Sequence, residues 1–331
     1  MSRETKPVNR VPARATKSVG DVDDQQDKRP GRVFAFGEVL WDQLPNGAVI
    51  GGAPANFASR VQSLGVDVTL VSRVGQDDLG QESTQILQRL GLSTACIQRD
   101  AKKPTGTVQV TFDDYGSPSY DITQDVAYDY IACTSELVAK AKQAEMIYFG
   151  TLAQRTMVAR QSLSMLLEAV PDTVRLCDVN LRVGCYSKQT VSSSLRASNI
   201  LKLNEVEVTD LADMFEFGTH DIEAFCDLAI EHFGLDLCLV TRGPLGAFAK
   251  HKSGERIIVP GYSVKVIDTI GAGDAFTAGF VWSHVRGEAL ADCIEMGVRC
   301  GALVATHRGG MVPITVAQLM GKPFSERKKS T

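Results

Sequence analysis

The sequence predicts an α/β fold with a central, mostly parallel sheet flanked by helices on both faces and a small β lid set apart from it. Three observations carry that expectation. Short β-branched and aromatic runs alternate with segments of helical period from about residue 32 onward, the rhythm of consecutive βα units. One period-two pair, residues 105–112 and 118–122 around Asp113-Asp114-Tyr115-Gly116, breaks that rhythm and reads as a detached hairpin. Finally, the 331 residues are 44% hydrophobic and 22% charged, ordinary globular values that allow one large core.

The elements follow in order. Residues 1–30 lack aromatics and mix Arg and Lys with Asp21, Asp23, Asp24 and Asp27, so a disordered tail is expected there rather than a transit peptide, and no apolar stretch resembles a secretory signal. The folded domain is expected over 31–320, with a second tail at 321–331. Residues 32–37 read as a buried strand, and Asp42 follows at or just past a strand's C-terminal end. Pro45-Asn46-Gly47 is a turn, 48–50 a strand, and Gly51-Gly52 leads into a helix over 54–64. Strand 68–74, helix 78–90 closed by Gly91, and strand 95–98 precede the hairpin. With segment 42–50, the region 104–123 would form the lid. Then come strand 146–149, helix 157–169, strand 174–179, helix 188–198, strand 200–203, two helical stretches and strand 237–241.

The net charge of −4 and pI near 5.8 give no basic footprint for nucleic acid, and no apolar run approaches the ~18 residues of a bilayer span. Eight cysteines without a C-x-x-C pair read as reduced core residues of a cytoplasmic protein.

Chemistry concentrates in Asp268-Thr269-Ile270-Gly271-Ala272-Gly273-Asp274. A small-residue turn enters a helical pattern, so Gly271, Ala272 and Gly273 should present free amides and the helix dipole to an anion such as a phosphoryl group. Asp274, beside that hole, could accept the proton of an attacking alcohol; the plainer alternative is a capping aspartate. Asp42 could hydrogen-bond a sugar hydroxyl pair, and Asn56 would face the same mouth, or simply cap its helix. Tyr120 points either at substrate or, the commoner fate of a lone strand tyrosine, into the lid. Arg155 and Arg182 fall after strand ends and Lys202 opens the polar run Lys202-Leu203-Asn204-Glu205-Val206-Glu207 at another, and Arg182 could clamp phosphates. Asn204 and Glu207 could hold Mg²⁺ through water, or form a helix-start capping pattern. Thr241 and the Gly243–Gly246 loop could let a nucleotide lie against backbone.

Two separated motifs, Gly52-Ala53-Pro54-Ala55-Asn56-Phe57-Ala58 and Asp268 to Asp274, in this order resemble the ribokinase-like (PfkB) carbohydrate kinases. The resemblance covers residue 32 to about 319. It implies ATP-dependent transfer to a sugar hydroxyl, with Asp274 as general base and Gly271, Ala272 and Gly273 as the hole. Asp42, Gly51, Gly52, Asn56, Tyr120 and Arg155 would serve the sugar, and Arg182, Lys202, Asn204, Thr241, Gly243 and Gly246 the nucleotide. Asn204 and Glu207 match a magnesium-associated pattern. Residues 300–310 resemble the region that closes around adenine and, with Asp268, helps form a monovalent-cation (K⁺) site. A homodimer through the lid is a further expectation. Within the family, the run from Gly37 to Ala58, Gly150-Thr151-Leu152-Ala153-Gln154-Arg155 and Asp178-Val179-Asn180-Leu181-Arg182 look like bacterial-type fructokinases, with Thr151 where serine often stands. Fructose is therefore the expected substrate, ahead of ribose or 2-keto-3-deoxygluconate. A non-catalytic sugar or nucleotide binder should have lost the base or the hole, and both are intact. The glycine signatures of P-loop and dinucleotide-binding proteins are absent.

Overall fold

A computed structural model describes residues 32–45, 47–112 and 118–321; the expected tail 1–30, most of the second tail, Asn46 and the hairpin tip lie outside the described residues. Nine strands form the main sheet. In chain order its first half holds β1 (Arg32–Phe36), then, after the lid strands β2 (Leu40–Leu44) and β3 (Gly47–Gly51), β4 (Asp67–Gly75) and β5 (Ile97–Asp100). The lid is completed by β6 (Gly106–Phe112) and β7 (Pro118–Ile122), and the sheet continues with β8 (Met146–Phe149), β9 (Val174–Asp178), β10 (Ile200–Asn204), β11 (Leu237–Thr241), β12 (Ala247–His251) and β13 (Arg256–Val259).

The sheet order β13-β12-β11-β10-β9-β8-β1-β4-β5 is parallel from β11 to β5, with β12 and β13 antiparallel at one edge. Those two edge strands went unassigned in the sequence. The parallel strands read clearly because both their faces are covered: all four residues Val33 to Phe36 of β1 are buried, which demands a continuous apolar run. Alternate residues of β1 enter opposite layers. Val33 and Ala35 pack with α1 (Ala53–Ser63), α2 (Asp78–Arg89) and helices from the chain's end. Phe34 and Phe36 pack with α3 (Ser135–Ala141), α4 (Met157–Glu168), α5 (Lys188–Arg196), α6 (Glu205–Met214) and α7 (Ile222–Phe233). The helices of the chain's end are α8 (Ala272–His284), α9 (Leu290–Val304) and α10 (Val316–Met320).

Strand order reverses around β1, which lies between β4 and β8 although the chain reaches β8 only after the second lid excursion. Crevices for ligands open at the carboxyl ends of strands flanking such a reversal. The lid, ordered β3-β2-β6-β7, hangs over that end: its outer pairs are antiparallel and its middle pair is parallel. One expectation needs correcting. Asp42 does not end a core strand; it lies in the middle of lid strand β2, opposite Val49, because the chain leaves the main sheet at Gly37. All eight cysteines are free thiols, seven of them buried, and among the described residues no helix is long and apolar enough to cross a membrane.

Candidate active site

Helix α8 is apolar all round and buried from Asp274 to Ser283, so its start lies deep between α1 and the sheet. Its N-cap, Gly271, is left-handed (φ 72°) and contributes no side-chain cap. A Cβ there would stand 2.9 Å from Gly310 O and 3.1 Å from Arg60 Nη2, so both the dihedral and the packing require glycine. The Ala272 N–H donates to Thr269 O at 3.2 Å, whereas the Gly273 and Asp274 amides find no acceptor among the described residues. One of the three expected hole residues therefore differs: Ala272 closes the turn, and Asp274, which is not among the three, joins Gly273 in offering its amide.

Asp274 is 8% exposed, and its Oδ2 accepts from Asn56 Nδ2 at 2.8 Å, joining α1 to α8 across the chain. The other Asn56 amide atom, Oδ1, is buried without a partner. Below the hole, Lys202 Nζ on β10 donates to both oxygens of Asp178 on β9, at 3.1 and 3.0 Å, and stands 3.1 Å from the position of a Cβ on Gly273. Thr277 of α8 donates to the same carboxylate at 3.3 Å. Burial raises Asp178 to about 6 even though Lys202 opposes the shift; Glu207 and Asp274 add to it. For Lys202, burial works against the charge, but Asp178 and Glu207 outweigh it and hold the pKa above its ordinary value. An ammonium is thus fixed at the hole.

On the lid side, Gly52 (φ 105°) brings α1 against β1's end, where a Cβ would meet Glu38 O at 2.5 Å. Glu38 Oε1 accepts from Ala53 N at 3.2 Å, and burial pushes its carboxyl up to about 7, with Arg182 opposing and Asp274 reinforcing. Asp42 is likewise raised by burial and opposed by Arg182. Its Oδ2 lies 2.7 Å from the position of a Cβ on Gly51. Arg182 is exposed, donates among the described residues only to Leu181 O and acts electrostatically on Glu38 and Asp42. The structure thus places it beside the lid-side carboxylates. A narrow cavity of about 10 Å³ separates Glu38 and Ala53 from Gly150, Thr151, Asn180 and Arg182.

Other expected residues have internal duties. Arg155 pairs with buried Asp129 through Nε (2.7 Å) and Nη2 (2.8 Å), donates to Thr123 O at 2.7 Å and stacks over Tyr128. This fastens the lid's base to the core. Asn204 and Glu207 form a reciprocal capping box at the start of α6: Asn204 Oδ1 accepts from Val206 and Glu207 N–H, and Glu207 Oε2 accepts from Asn204 N–H. The second Glu207 oxygen accepts from Leu181 N–H at 2.9 Å. Thr241 donates to Leu203 O at 3.3 Å, and Gly243 opens a short 3-10 helix that Gly246 closes against Val259. For Tyr120 only backbone pairing with Val110 is described. Asp268 spends one oxygen on Ile270 N–H and the other on Gly309 N–H.

Among the described residues no three His, Cys, Asp or Glu side chains gather as a metal cage. A divalent ion fits only as the companion of a bound polyphosphate, whose oxygens and waters would complete its shell. The sequence reading missed Arg60, Glu38 and Asp178 as site residues. Arg60 carried a readable signal: a charge one turn after Asn56 on a helix otherwise lined by Ala55, Phe57, Ala58 and Val61.

The chain matches the model of the pfkB family of carbohydrate kinases over residues 20–317. A Pyrococcus horikoshii protein provisionally named a sugar kinase is 30% identical over 254 residues, covering 75% of this chain and 76% of that one. Fructokinase-2 of Oryza sativa subsp. japonica is 26% identical over 311 residues, covering 85% and 90%. Among solved structures, fructokinase from Vibrio cholerae O395 in its fructose, ADP and calcium ion bound form superposes with a TM-score of 0.75 at 26% identity, covering 87% of this chain and 97% of that one.

Proposed function

The chain belongs to the pfkB family of carbohydrate kinases, and from that premise we propose that it transfers the γ-phosphoryl group of ATP to the 6-hydroxyl of fructose. The observation that carries this reading is the Asn56–Asp274 hydrogen bond. It seats a carboxylate at once beside the open amides of α8 and beside the helix that leaves the lid, the position a base needs between an attacking hydroxyl and a phosphoryl group. The choice of fructose draws its support from the fructokinase motifs and from relatives named fructokinases at 26% identity.

In this reading Asp42, Asn56 and Arg182 hold the sugar under the lid, and Asp274 takes the proton from its 6-hydroxyl as the new O–P bond forms. The Gly273 and Asp274 amides and the Lys202 ammonium receive charge on the phosphoryl oxygens as the bond to ADP breaks. Lys202 needs no reorganisation, since Asp178 already holds it. Asn204 and Glu207 would hold Mg²⁺ through water, and the ion would neutralise phosphate charge. The nucleotide would lie along Thr241 and the Gly243–Gly246 turn.

A panel of fructose, ribose, glucose, adenosine and 2-keto-3-deoxygluconate with ATP and Mg²⁺ tests the proposal. Fructose should give the highest kcat/KM. If ribose or the sugar acid wins, the choice of fructose falls and the kinase reading stands; if no sugar turns over, a binding role replaces both.

A further inference from the structure

Arg60 is fully buried, at 0% exposure, yet among the described residues it makes no ion pair. Its Nη1 donates to Asn56 O at 3.1 Å and its Nη2 to Gly310 O, while Nε has no partner at all. Buried charges are ordinarily paired or bound to an ion of opposite sign, because carbonyl dipoles alone replace only part of the lost hydration. A guanidinium held by two backbone oxygens is therefore an incomplete arrangement. Its position shows what completes it. Nη2 lies 3.1 Å from where a Cβ on Gly271 would stand, directly behind the anion hole, and Asp274 at the hole's rim is the carboxylate whose field reaches it.

The same place is where a monovalent cation is expected, and Arg60 and neighbouring amides already use the oxygens it would need. Such an ion replaces its water shell with several free backbone or carboxylate oxygens. Here both oxygens of Asp268 already accept N–H groups, Ala305 O accepts from Ile267 and Asp268, and Gly310 O is taken by Arg60. We propose that Arg60 is the internal cation of the anion hole: from behind Gly271 its guanidinium supplies the fixed positive charge that binds the nucleotide's phosphates, so binding requires no monovalent metal ion. Arg60 acts as a positioning residue, through Gly271 and Gly310, without touching the reacting atoms.

The proposal rests on the kinase reading but is tested by nucleotide binding, which does not depend on the sugar. Calorimetric titration of the full chain with ADP and Mg²⁺ would compare potassium chloride with choline chloride at matched ionic strength. Wild-type Kd should agree between the two salts within roughly two-fold, whereas R60M should bind about ten-fold or more weakly in choline and recover part of the loss with potassium or free guanidinium. A wild-type Kd that tightens ten-fold or more with potassium overturns the proposal, as does R60M binding as tightly as wild type. Weakening that neither cation restores also overturns it, because that is the signature of a packing role. The wild-type comparison decides the matter even where R60M does not fold. Potassium-indifferent ADP binding without phosphorylation of any sugar would sink the kinase reading and leave Arg60's role standing; no ADP binding in either salt overturns both.

Discussion

Two helices begin at the mouth of the site, and they begin in opposite ways. Helix α6 closes on itself: Asn204 accepts from the Val206 and Glu207 amides, and Glu207 returns a bond to the Asn204 N–H. Helix α8 starts on Gly271 with no side-chain cap, and its Gly273 and Asp274 amides stay open. Both carry the same dipole, so the dipole alone cannot decide which one receives an anion. What decides it is whether the chain supplies its own acceptor. A third start, that of α1, borrows one, since Ala53 N–H donates to Glu38 from outside the helix.

The largest effect is expected where the open start carries the proposed base. Asp274→Asn keeps the shape but cannot take the proton, so kcat should fall roughly 10² to 10⁴-fold while ADP affinity holds within a few-fold. Steady-state kinetics with calorimetry measures both, and near wild-type turnover would remove Asp274 from the chemistry. Next, Gly271→Ser would make α8 resemble α6 by adding an oxygen able to cap the first amides, and would also strain a φ of 72°. We expect kcat/KM for ATP to drop about 10- to 100-fold, comparable to losing one preorganised donor. Unchanged kinetics would mean that the open amides do not meet the nucleotide.

The converse change opens α6. Asn204→Ala should cost about 0.5–2 kcal/mol of stability through the lost cap, read as a lower midpoint in denaturant. A fall in turnover with the fold intact, relieved at high Mg²⁺, is expected beside it if this residue also holds the ion through water as proposed; unchanged turnover would leave it only the cap.

The smallest effect concerns the borrowed cap and is read through pH. Glu38 titrates near 7 in the folded chain against an ordinary 4.5. The folded state therefore binds the extra proton in that window, and the associated stability is complete below about pH 4.5 and lost as pH rises through 7. Glu38→Gln should remove this dependence, so its Tm should gain on wild type by a few °C between about pH 5 and 8. The share from Asp178, which titrates near 6, remains in both proteins. Parallel Tm profiles would contradict the raised pKa of Glu38.

The three helix starts also show what one sequence reveals. The glycine turn before α8 and the Asn-x-x-Glu of α6 are local, so they were legible, although only the structure shows that one is open and the other closed. Parallel strands were legible because burial on two faces makes them uniformly apolar; β12 and β13 were not, since edge strands such as Arg256–Val259 are covered less completely. Asp42 was misplaced because Glu38 to Asp42 reads as a continuation of β1, while the turn into the lid depends on how Gly37 and Gly52 pack. Glu38 and Asp178 acquire meaning only through burial against distant segments, which no local pattern records; Arg60 leaves a local trace as a charge among apolar helix positions, but not its place behind Gly271.

The Asn56–Asp274 bond joins residues 218 positions apart. On the ribosome, the helix that leaves the lid emerges long before Asp274 and the open amides do. A nascent or prematurely terminated chain that has already made β1 to β11 thus carries Lys202 but not α8, and under the proposed reading the order of synthesis would hold chemistry back until that late helix has docked.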